Sequence, residues 1–237
     1  MGKSEHIPEH AKFLLARNEL ANYYDRAPPA INTCVNAPAE GSRLHNAKSH
    51  AAVDPIFYEA YAIAVQLMAS GIDHLSAVLV LWHNEELPHY ACFTLARGLL
   101  ESSSRAVWLL DRSITENQRA SRGQLERVER LWNRYRFEAL DSPDARRNLD
   151  DRLDKLMARA EVHGLSVDVA TAGQRKGLPM RIGGERRPGP TEVIDQALKK
   201  VIGTGADKLG VYSLLSGFAH SDSFTIGMDT VEVARQE

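Results

Sequence analysis

Asp54-Pro55-Ile56-Phe57-Tyr58-Glu59-Ala60-Tyr61-Ala62-Ile63-Ala64-Val65-Gln66-Leu67-Met68-Ala69-Ser70-Gly71-Ile72-Asp73-His74-Leu75-Ser76-Ala77-Val78-Leu79-Val80-Leu81-Trp82 is the stretch whose reading decides the fold class. Asp54 suits a helix N-cap, and Pro55 fits the first helical position, where a missing N–H breaks no bond. Phe57, Ala60, Ala64, Leu67, Met68, Leu75, Val78, Leu79 and Trp82 then recur at the 3.6-residue period of an amphipathic helix. Gly71 falls on that stripe and marks a close contact or a kink.

The same period extends to both sides. A first helix is expected from about Pro8 to Arg26, with Pro28-Pro29 ending it. Residues 27–53 are rich in Pro, Asn, Ala and small polar residues and read as a long loop. After the polar break at 83–87, Pro88 opens a third helix to about Leu110. Ser113 is the expected cap of a fourth, highly charged helix from about Thr115 to Leu140. A fifth runs from about Asp144 to His163, with Gly164 as its C-cap. Residues 165–190 carry five glycines and three prolines, and are expected to form an irregular basic loop with at most a short hairpin. Thr191 caps a sixth helix to about Ile202, a seventh spans about Ala206 to His220, and residues 223–237 form a tail. The expectation is therefore one all-α domain, 1–237, a bundle of about seven helices.

Composition bounds the function. The chain has 237 residues, 43% apolar and 25% charged, with a formal net charge of −2. No whole-protein field favours nucleic acid or an anionic membrane. Cys34 and Cys92 match no zinc or redox spacing. The N-terminus lacks the apolar segment of a secretory signal, and the longest clean apolar run, Ala77 to Trp82, is short of a membrane span. A cytoplasmic protein with no membrane partner is expected. Glu86-x-x-His89 has di-iron spacing but is interrupted by Pro88, so no metal or other cofactor is expected.

The third helix carries the main candidate site. With Arg97 at zero on a helical wheel, Trp108 falls at about 20°, Glu101 at about 40° and Arg105 at about 80°. Apolar side chains occupy most of the remaining circle. An arc that narrow fits either a thin solvent strip of i,i+4 ion pairs or a crevice in which a surplus guanidinium binds an anion. On the seventh helix Tyr212, Ser216 and His220 recur at i, i+4 and i+8, beside a small-residue strip of Gly210, Ser213 and Gly217. His220 suits an acid or base near neutrality. The loop Gln174-Arg175-Lys176…Arg181…Arg186-Arg187, with Glu185 as its one acid, suits phosphate contact or a solvated surface.

Two resemblances add to this. Ala96-Arg97-Gly98-Leu99-Leu100-Glu101…Arg105-Ala106-Val107-Trp108-Leu109-Leu110-Asp111 resembles a motif of an uncharacterised actinobacterial family of helical proteins. Arg187-Pro188…Thr191…Tyr212-Ser213-Leu214-Leu215-Ser216-Gly217-Phe218-Ala219-His220 resembles that family's second motif, and Asp73-His74-Leu75 belongs to the same likeness. It implies that the two stripes serve one shared feature, without supplying an activity. The helix ending in His220 also resembles, more loosely, the HEPN superfamily of helical proteins, which includes ribonucleases. That implies RNA binding or cleavage, but the superfamily's catalytic Arg has Ser213, Leu214 and Leu215 in its place here.

Three functions follow as expectations. In the first, a cleft binds an anionic small molecule through Arg97, Arg105 and Trp108, with Tyr212 and Ser216 opposite and His220 and Glu101 as catalytic candidates. In the second, a HEPN-like protein binds or cleaves RNA. In the third, both stripes are polar seams of an interaction module, with a homodimer as partner state.

Overall fold

The computed structural model describes residues 9–51, 54–82, 89–138, 142 and 144–202. Among them are α1 (Glu9–Asn36), α2 (Arg43–His50), α3 (Ile56–Leu81), α4 (His89–Leu109), α5 (Glu116–Glu138), α6 (Ala145–Val162) and α7 (Pro190–Ile202). Between α6 and α7 come β1 (Val167–Val169), β2 (Pro179–Ile182) and β3 (Glu185–Arg186), an antiparallel sheet in the order β1-β2-β3. The fold is mostly all-α, as the periodicity predicts. The expected seventh helix and the tail lie outside the described residues.

The sequence predicts a single domain. By contact the described residues group into two compact units, one within residues 9–37, 67–104 and 194–202, the other within 38–66 and 105–193. The chain passes between the units at 37/38, between α1 and α2, and within α3, α4 and α7.

In the unit of 38–66 and 105–193, Asp54 caps α3 as its sequence implies, accepting the Ile56 N–H on Oδ1 at 3.0 Å. Ile56, Leu125, Val128, Leu149, Leu153, Leu156, Leu165, Leu178 and Ile182 form one core with the buried alanines 120 and 160. A fully buried aliphatic such as Ile56 or Leu153 contributes about 1.5–3 kcal/mol. α3 approaches α5 closely at Gly123, where a Cβ would stand 2.9 Å from the Ala60 backbone nitrogen. α6 ends in a Schellman motif: Gly164, at φ +67, donates to Glu161 O, and Leu165 donates to Ala160 O before entering the core.

Four local expectations are corrected. Residues 27–53 are not one loop. α1 runs through Pro28 and Pro29 to Asn36: proline φ is itself helical, and the helix bears the lost N–H and the ring's crowding of the preceding turn, while Thr33 Oγ1 donates back to Pro29 O. α2 then forms on a Ser42 cap that accepts the His45 N–H at 3.1 Å; its one buried residue, Ala47, is too little to register as a period. Ser113 does not cap α5: it bonds to Asp111, and Thr115 with Gln118 makes a reciprocal capping box. Residues 165–190 form the three-stranded sheet, whose β2–β3 turn at Gly183-Gly184 has φ of +55 and +78, the primed geometry of a two-residue hairpin. α7 starts at Pro190, one residue before Thr191.

α3 is also long and apolar enough to cross a membrane by length and composition, with a window of mean hydropathy 1.6 that is 33% buried. Gln66 and Asp73 interrupt any clean run, which is why a run-length criterion passes over it. Buried core helices have the same composition, and Ile56, Ala60, Ile63, Ala64, Leu75, Val78 and Leu79 are buried.

Candidate functional site

The α4 stripe is divided between the units. Arg97 and Glu101 form the i,i+4 pair that their spacing implies, Nε to Oε1 at 2.8 Å, with both side chains partly exposed. Such a pair stabilises by about 0.2–0.5 kcal/mol. In the same unit Gly71 resolves as a close contact: a Cβ there would meet Ser102 Oγ at 3.2 Å and Ser103 Oγ at 3.3 Å. Gly98 is tighter still, since a Cβ would stand 2.7 Å from His74 Nε2. His74 therefore lies on the α4 backbone beside Arg97 in sequence, joining the Asp73-His74-Leu75 and Arg97–Glu101 segments. Tyr212, Ser216, His220 and Glu86 lie outside the described residues.

In the other unit Arg105 pairs with Glu126 of α5, Nη1 to Oε1 at 2.8 Å, and both side chains are nearly buried. Trp108 is buried, with the Arg122 guanidinium 5.0 Å from its ring centroid. Glu126 also accepts Arg187 Nε at 2.9 Å. Glu129 holds Arg175 at 2.6 Å and lies 3.6 Å from Arg187 Nη1. Glu185 takes Arg122 at 2.7 Å and Gln118 at 3.0 Å, while Arg186 pairs with Glu192. Within the basic segment Arg175 and Arg187 thus face carboxylates of α5, whereas Arg181 and Arg186 are exposed; Arg105, Arg122, Arg175 and Arg187 are matched by Asp111, Glu126, Glu129 and Glu185. This is a clamp between α5 and the hairpin.

The same unit contains a cleft of about 380 Å³ lined by Arg43, Asn46, Ala47, His50, Asp54, Phe57 and Glu116. Arg43, Asn46, Ala47 and His50 stand at i, i+3, i+4 and i+7 on α2, one face of that helix. Ala47 and Phe57 supply the apolar wall. The two acids are engaged elsewhere. Asp54 accepts Ile56 N–H on one oxygen and pairs with His163 through the other. Burial pushes the Asp54 carboxyl up, but the Ile56 amide and His163 together outweigh it and hold the group below its usual range. The His163 ring meets Phe57 edge-on at 5.3 Å.

Glu116 accepts the Tyr61 hydroxyl at 3.3 Å and forms longer ion pairs with Arg43 Nε at 3.4 Å and Arg119 Nε at 3.5 Å, the latter nitrogen being buried without a hydrogen-bond acceptor among the described residues. Arg119, 2% exposed, donates to Leu109 O and Asp111 O and lies over the Tyr61 ring at 5.1 Å. Burial holds the Tyr61 phenol above its ordinary value, against the Arg119 charge.

The sequence points to none of the α2 residues of this cleft. The available signal was Ser42 as a cap followed by polar residues at one-face spacing. Among the described residues no three His, Cys, Asp or Glu side chains gather as a metal site. No protein-family model, curated protein or solved structure matches the chain.

Proposed function

We propose that this protein is a helical small-molecule-binding protein whose ligand occupies the cleft between α2, the start of α3 and the start of α5. The observation that carries this is the 380 Å³ cleft, with Phe57 and Ala47 as apolar wall and a few polar groups around it. Volumes of roughly 300–1,000 Å³ with sparse polar groups are typical of ligand sites. An anion site built from Arg97 and Arg105 together has less support, because Arg105 is nearly buried against Glu126, Arg97 pairs with Glu101, and the two fall in different compact units. RNA binding through residues 175–187 has less support because Arg175 and Arg187 are held by Glu129 and Glu126.

The test uses 2-naphthylmethanol, an uncharged aromatic alcohol, with saturation-transfer NMR. Saturable binding with a dissociation constant below about 1 mM is expected. Asn46→Trp, an exposed cleft position, fills the site and abolishes it while far-UV circular dichroism is unchanged. Absence of saturable binding, or binding untouched by Asn46→Trp, overturns the reading.

A further inference from the structure

We infer that the ligand of this cleft is an organic anion: an apolar body against Phe57 and Ala47, with a carboxylate-type head received by Arg43, Asn46 and His50. The inference rests on the cleft being a ligand site. It comes from which polar atoms around the cleft already have partners. The acceptors are occupied. Both oxygens of Asp54 are engaged, by Ile56 N–H and His163. Both oxygens of Glu116 face donors from Tyr61, Arg43 and Arg119. A cationic or donor-rich ligand would compete with these contacts.

The donors are open. Arg43 uses Nη1 on the carbonyls of Ile114 at 3.0 Å and Arg112 at 3.5 Å and turns Nε toward Glu116, which leaves Nη2 without a partner among the described residues. The Asn46 amide and the His50 imidazole have no side-chain hydrogen bond among the described residues either; at these positions only backbone atoms are engaged. Arg43 opens α2, where the helix field favours a negative group. The remaining Nη2 of Arg43 and the Asn46 amide together offer a carboxylate two donors, one of them charged. Each carboxylate of the cleft has its own partner: Glu116 faces Arg43 and Arg119, and Asp54 faces His163.

The experiment compares 2-naphthoate, 2-naphthylmethanol and 2-naphthylmethylammonium on the intact protein by saturation-transfer NMR. The carboxylate is expected to bind about tenfold more tightly than the alcohol, and the ammonium more weakly than either. In Arg43→Gln/Asn46→Ala the carboxylate falls to within about twofold of the alcohol, whose own affinity is retained. Asn46→Ala alone, which removes no intramolecular side-chain bond, gives an intermediate loss. Ammonium binding as tightly as carboxylate, or a carboxylate advantage that survives the double substitution, overturns the inference. Alcohol binding that Asn46→Trp still blocks would leave the cleft reading standing in that case. If none of the three probes binds, both fall.

Discussion

Replacing Glu126 by Ala removes one carboxylate and leaves two guanidinium groups facing a vacated position. The Glu126 side chain is 5% exposed, and its partners Arg105 and Arg187 are 11% and 24% exposed. Breaking a buried ion pair from one side costs roughly 3–5 kcal/mol, because the remaining charge stays desolvated. Arg187 is wet enough to recover part of its hydration, and it keeps Glu129 at 3.6 Å, so the lower end, about 3 kcal/mol, is expected. For a chain of this size that lowers Tm by about 6–12 °C. Urea denaturation followed by circular dichroism measures the loss, and Glu126→Gln, which keeps an acceptor, should lose less. Sulfate should stabilise Glu126→Ala more than the parent protein, since it can stand between Arg105 and Arg187. A loss below about 1 kcal/mol would place Glu126 among ordinary solvated pairs and refute the clamp.

Three further outcomes are expected. Gly183→Ala should destabilise by about 2–3 kcal/mol in thermal melts, because φ +55 strains an L residue and the new Cβ meets Ser121 Oγ; adding Ser121→Gly should return part of that loss. Asp54→Asn should lower Tm near neutral pH and leave it almost unchanged in acid. Asp54 titrates below its usual range when folded, so its contribution is present above the ordinary carboxylate value and disappears as pH falls through the folded one. A pH-independent difference between the two proteins would sink that assignment. In timed alkylation with mass spectrometry, the exposed Cys34 should react well before Cys92, whose thiol is pushed up by burial.

The parts of the fold that were readable are those whose signal is local and strong. Asp54-Pro55, the nine-position stripe from Phe57 to Trp82, and His163-Gly164 each announce a cap or a period within a few residues. The parts that were not readable depend on contacts distant in sequence. α2 buries Ala47 alone, so no periodicity marks it. The sheet at 167–186 is held by Arg122, Glu126 and Glu129 of α5 and by a core that takes Leu178 and Ile182 from it. Its own strands are two to four residues long. Pro28-Pro29 misled in the opposite direction, because the rule that proline ends a helix states a cost, and α1 bears that cost.

The candidate site moved for a related physical reason. A helical wheel counts charges on one helix, so Arg97, Glu101 and Arg105 look like an excess of one cation. It cannot show that Glu126, twenty-one residues beyond Arg105, neutralises that cation in the fold. Sequence shows where charge is; structure shows which charge is already paired. On α4, Arg97 and Arg105 have carboxylate partners within the protein, and in the basic segment Arg175 and Arg187 do. Arg43 Nη2, Asn46 and His50 come forward on a helix with no striking composition, because their neighbours Asp54 and Glu116 are bound by other donors. A ligand site is better sought where donors around a concave surface lack partners than where charges are most numerous along a helix.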